Sequence, residues 1–172
     1  MRVWAISDLH LSLGGDKPME VFGEHWRDHH RRIADAWDER VAADDLVLLP
    51  GDFSWANKTA EVAADIAWLA ARPGRMVLCK GNHDHWWPHS KARMAATLPP
   101  RAQAIKKTAC RVGGVSVFGV RGGDFAPLAR YGDQRTQADI DANLDKEEGE
   151  LARSEEHTSE LQSQFQLVCR LL

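Results

Sequence analysis

Asp8 and His10, then Asp52, then the run Asn82-His83-Asp84 are the residues of this chain whose types and spacing could do chemistry. They offer carboxylates, imidazoles and an amide oxygen. That donor set suits a borderline divalent ion such as Mn, Fe or Zn. Asp8 and His10 are two residues apart, so in an extended chain their side chains leave on the same side and can grip one ion. Gly51 before Asp52 and Gly81 before Asn82 let the backbone turn sharply and approach a neighbour closely. Each fragment alone has a plainer explanation. An Asp-x-His is usually a turn followed by a surface histidine, a Gly-Asp is a turn, and GNHD can be an ordinary loop. The case for chemistry rests on where the three fragments fall together.

Each fragment follows an apolar run rich in strand formers: RVWAIS (2–7), DLVLLP (45–50) and RMVLCK (75–80). Helical periodicity lies between them. Over 24–41, Trp26, Ile33, Trp37 and Val41 share roughly one face; over 58–72, Val62, Ile66 and Leu69 do the same before Pro73-Gly74 stops the helix. The order strand, helix, strand, helix, strand predicts parallel pairing with helical crossovers. In such sheets ligand sites gather beyond the carboxyl ends of the strands, so the three polar loops converge. A third helix is expected over 88–97. CRVGGVSVFGV (110–120) reads as a hairpin turning at Gly113-Gly114, 122–133 as a loop, and Gln134 to about Ala152 as a polar helix.

The 172 residues are expected to form one domain with a sizeable core. A formal net charge of −3 argues against a general nucleic-acid or membrane binder, but not against a small phosphate-bearing substrate. Cys79, Cys110 and Cys169 form no CxxC pair and read as reduced thiols of a cytoplasmic protein. No leader peptide is expected, and no apolar run approaches membrane-spanning length.

DLH at 8–10, GD at 51–52 and GNHD at 81–84 resemble the first three signature blocks of the calcineurin-like metallophosphoesterase superfamily, over about residues 1–120. LLPGDFSWA (48–56) and the WW after GNHDH resemble a bacterial branch of phosphohydrolases within it. The resemblance implies an α/β fold, a β-sandwich flanked by helices. It implies that Asp8 and His10 bind a first metal, Asp52 bridges two metals and Asn82 binds the second. His83 would be catalytic, protonating the leaving oxygen or stabilising the phosphoryl charge, with Asp84 behind it holding its orientation. The implied activity is phosphoric ester hydrolysis by a hydroxide that two divalent ions, about 3.5–4 Å apart, activate.

Two later blocks of the family pattern, a further histidine and a GHxH, have no counterpart here, since no histidine lies between His89 and His157. Residues 153–163, RSEEHTSELQS, resemble a translated short-read sequencing adapter. The expectation is a phosphoesterase domain over 1–152, incomplete at its C-terminus, and a non-native tail over 153–172. This chain would then be weakly active or inert, binding at most one metal weakly. A nuclease or cyclic phosphodiesterase of the same superfamily is the other alternative, disfavoured by the lack of a basic stripe.

Four side features remain. His25 and His29 could share a metal, although a charged solvent face is the plainer reading. Trp55, Trp86 and Trp87 could form an aromatic rim or be core. His85 and His89 could line the same mouth. Lys17, Arg121 and Arg130 could contact phosphate.

Overall fold

A computed structural model describes residues 1–119, the helical positions 138, 142, 145, 146 and 149, and residues 166–168. Those five positions fall inside the polar helix expected over 134–152. Arg121, Arg130, His157 and Cys169 lie outside the described residues. The chain divides into two compact units, Met1–Ala104 and Ile105–Leu172.

The first unit carries a four-stranded sheet in the order β1-β2-β3-β4: Val3–Ala5, Leu46–Leu49, Arg75–Cys79 and Ala102–Ile105. β1 pairs parallel with β2, and β2 parallel with β3, with Val47 opposite Met76 and Leu49 opposite Leu78. Every residue of β2 is buried, as are Met76 to Cys79 of β3. This explains continuous apolar runs in place of alternation. Val47, Leu49, Met76 and Leu78 join Trp37, Val62 and Leu69 in one core cluster. The parallel α/β order matches the expectation. β4 was not anticipated: its segment is short, and Met76 N–H donating to Arg101 O (2.9 Å) brings it to the sheet.

The helices are shorter than their periodicity suggests. α1 spans His29–Arg40, not 24–41; a 3-10 turn at Glu24–Trp26 precedes it, and Asp28 breaks the run at φ 50°. The carbonyl of Trp26 lies 3.0 Å from Nδ1 of the His29 ring, outside the helical hydrogen-bond ladder. α2 spans Ala63–Ala70. Residues before it stay in turns, where Thr59 Oγ1 donates to Trp86 O (3.0 Å). α3 spans Lys91–Thr97, capped by the Ser90 hydroxyl, which accepts from Arg93 N–H.

The second unit contains the expected hairpin. β5 (Thr108–Val112) pairs antiparallel with β6 (Val115–Gly119) across Gly113 and Gly114, whose φ values of 56° and 88° suit glycine. β7 (Gln166–Val168) pairs parallel with β6, Val117 opposite Leu167. One largely parallel sheet and one sheet built on an antiparallel hairpin agree with the mixed α/β class expected.

Candidate metal centre

The first three strands present their carboxyl ends together, and each offers a candidate ligand three positions on: Asp8 after Ala5, Asp52 after Leu49 and Asn82 after Cys79. The first two loops continue the sheet's hydrogen bonding. Asp8 N–H donates to Gly51 O (3.1 Å), His10 N–H to Asp52 O (2.9 Å) and Leu11 N–H to Phe53 O (3.0 Å). The path is not the extended one assumed from the Asp-x-His spacing. Asp8 and His10 both take left-handed φ, 56° and 46°, and the two side chains still meet.

His10 Nε2 lies 3.8 Å from Asp8 Oδ1 and 3.9 Å from Asp52 Oδ2. One ligand atom from each of the three residues lies within 4.8 Å of the others. Donor atoms around one ion stand about 3.0–3.4 Å apart when each bond is about 2.1 Å. The two His10 distances exceed this by about half an ångström and the 4.8 Å limit by about 1.4 Å, so small rotamer adjustments of the carboxylates would be needed to close on one ion. The chemistry of the set fits as well. Burial lowers the His10 pKa against the opposing pull of Asp52 and Asp8, which favours the neutral ring that ligates. Burial raises the Asp52 pKa, opposed by the His83 N–H and by the nearby His83 and His10 rings, so positive charge beside the carboxylate would be favourable. A divalent ion would supply it.

Asn82 and His83 are half-buried in the third loop. His83 N–H donates to Asp52 Oδ1 (2.9 Å), and its ring centroid is 5.7 Å from that of His10. The two Asp52 oxygens thus face different loops. Gly81 makes this possible, since a Cβ there would overlap Oδ1 and the backbone nitrogen of Asp52.

Asp84 does something other than orient His83. It is fully buried, and its carboxylate accepts from Gly81 N–H (2.8 Å), Asp52 N–H (3.0 Å), Phe53 N–H (3.0 Å), Ser54 N–H (3.3 Å) and Trp86 Nε1 (3.0 Å). It clamps the second loop onto the third. No spacing signal distinguishes this from an orienting role, because four of the five partners are backbone groups.

Of Trp55, Trp86 and Trp87, Trp55 alone meets the cluster. It stacks on His10 at 4.6 Å between centroids and lies 4.7 Å from His83. Trp86 and Trp87 are buried core. Lys17 Nζ donates to Trp55 O (3.1 Å) and Asn57 Oδ1 (3.3 Å), so it braces Trp55. His85 and His89 are exposed. His25 and His29 do not form a metal pair: both ring nitrogens of His29 face carbonyl oxygens, Trp26 O at 3.0 Å and Leu9 O at 2.9 Å.

The sequence profile of the calcineurin-like phosphoesterases matches residues 1–161. The chain belongs to that family. As a calcineurin-like phosphoesterase it is 41% identical over 97 residues to the Gene 66 protein of Mycobacterium phage D29, covering 56% of this chain and 46% of that protein. It is 36% identical over 99 residues to the Gene 66 protein of Mycobacterium phage L5, covering 56% and 45%. The chain thus spans about half the length of these curated relatives. A solved structure of a protein of unknown function from Aquifex aeolicus is 18% identical, with a TM-score of 0.49 over 85% of this chain and 73% of that one. Among the described residues no helix is long and apolar enough to cross a membrane.

Proposed function

We propose that the activity of this phosphoesterase is hydrolysis of a small phosphate ester with the aid of two divalent ions, Mn, Fe or Zn, and that this chain carries it weakly. Asp8, His10, Asp52 and Asn82 serve as ligands and His83 as the catalytic residue. The observation that carries the reading is the meeting of Asp8, His10 and Asp52 within 4.8 Å at the ends of adjacent parallel strands. When bound, such ions neutralise phosphoryl charge and acidify water. The chain does the rest. Asp52, whose oxygens face both flanking loops, would be the ligand shared between the ions. His83 stands beside His10, where its ring can hand a proton to the leaving oxygen. Trp55 packs against both rings and keeps water from that side. The setting we propose is cytoplasmic, on the absence of a CxxC pair among Cys79, Cys110 and Cys169 in the sequence.

The test pairs Mn titration calorimetry with hydrolysis of an aryl phosphate and its bis-aryl diester. Mn-dependent hydrolysis by the unaltered chain, absent in Asp52→Asn, is expected. Activity on the diester alone would select the nuclease or phosphodiesterase form. Mn binding without hydrolysis of either ester would defeat the proposal and leave an inert metal binder.

A further inference from the structure

We propose that His29, at the start of α1, is a positioning residue that holds His10 in its ligating conformation; this rests on the metal-centre reading above. The peptide plane between Leu9 and His10 is pinned at both ends. His10 N–H donates to Asp52 O (2.9 Å), and the Leu9 carbonyl faces His29 Nε2 (2.9 Å). Rotating that plane changes Leu9 ψ and His10 φ together. His10 φ is 46°, a left-handed value that a non-glycine residue adopts at a free-energy cost. Free of its pins, the plane would turn over, take His10 to an ordinary negative φ and give up the His10 N–H bond that ties the ligand loop to Asp52.

His29 is itself fixed. Its Nδ1 lies 3.0 Å from Trp26 O, and its ring packs edge-on against Trp26 (5.2 Å, 81°). Trp26 also meets the His10 ring edge-on at 6.4 Å. The first turn of α1 therefore reaches the metal loop by a hydrogen bond to its backbone and a ring contact to its imidazole. Leu9 is 1% exposed, so without His29 its carbonyl would be a buried acceptor that water cannot readily reach.

The test compares His29→Phe, which keeps a ring and loses the Nε2 donor, with His29→Gln, whose amide can donate to Leu9 O. Two readouts are taken: hydrogen exchange of the His10 amide in the metal-free chain, and Mn affinity by calorimetry. In His29→Phe the His10 amide should exchange about tenfold faster and Mn should bind about tenfold more weakly, the loss of one hydrogen bond to a buried group. In His29→Gln both should return to near the unaltered values. Unchanged exchange in His29→Phe would overturn the inference. So would equal losses in both variants that track melting temperature, since a merely structural histidine behaves that way. If the unaltered chain binds no Mn, the proposed function fails, and the exchange data still decide the role of His29.

Discussion

Replacing Asp84 with Asn should destabilise the chain far more than an isosteric change normally does. Oδ2 accepts from Asp52 N–H and Gly81 N–H; Oδ1 accepts from Phe53 N–H, Ser54 N–H and Trp86 Nε1. All five partners are donors. An Asn keeps one acceptor oxygen and turns the other position into a second donor. In its better orientation two bonds are lost; in the other, three. Hydrogen bonds to a charged acceptor contribute about 1.5–3 kcal/mol each, so two lost bonds predict roughly 3–6 kcal/mol. Typical total stability is about 5–15 kcal/mol, so the variant should be marginal. Urea unfolding of both chains at one pH and without metal measures the difference, and Asn leaves no cavity to confuse it. A loss below about 1 kcal/mol would refute the clamp and show that these distances overstate the bonding.

Three further outcomes are expected. Gly81→Ala should displace Asp52, because the added Cβ overlaps its Oδ1 and backbone nitrogen; Mn affinity should drop at least about tenfold, with about 1–3 kcal/mol of stability lost to overpacking. His83→Ala should cut turnover by about 10²–10⁴-fold while metal content, measured by elemental analysis, stays near normal; lost metal with intact turnover per bound metal would assign His83 to the wrong role. Asp45 accepts from Arg2 N–H, Trp4 Nε1 and Ala42 N–H, and these bonds hold its pKa at about 2, below the ordinary 3.8. A carboxyl depressed on folding contributes stability that is present above the unfolded value and lost as pH falls through the folded one. The stability of the unaltered chain should therefore decline between about pH 4 and pH 2, and Asp45→Asn should flatten that limb in an acid titration followed by circular dichroism.

Most of the site was legible because the polar fragments follow strand-like runs, and a parallel sheet gathers strand ends. Asp8, His10 and Asp52 meet for that reason. What escaped the sequence is what depends on backbone acceptors and donors. Asp84 binds N–H groups, and His29 faces two carbonyls; neither partnership leaves a residue-type signal. The helix starts were misread for the same cause. Trp26 fits the apolar face of a helix from 24, yet its carbonyl faces the His29 ring, and Asp28 turns left-handed. β4 was missed because four residues following Pro99-Pro100 carry too little periodicity to weigh against a loop.

The extended-chain reading of Asp8 and His10 reached the right meeting through the wrong conformation, and the reason is informative. Among the described residues five that are not glycine have positive φ, and three of these are Asp8, His10 and Asp52. Such a conformation costs about 1–3 kcal/mol per residue and persists only where its surroundings over-determine it. Here the surroundings are visible: the hydrogen bonds from Asp8 and His10 to the second loop, the Asp84 clamp on Asp52, and His29 on Leu9. Asp and His are also among the residues that tolerate the left-handed region best. The same side chains would therefore serve twice, as the proposed donors to an ion and as types that accept the backbone hand that aims them. A β-branched or bulky apolar residue at any of the three positions would lose both properties at once.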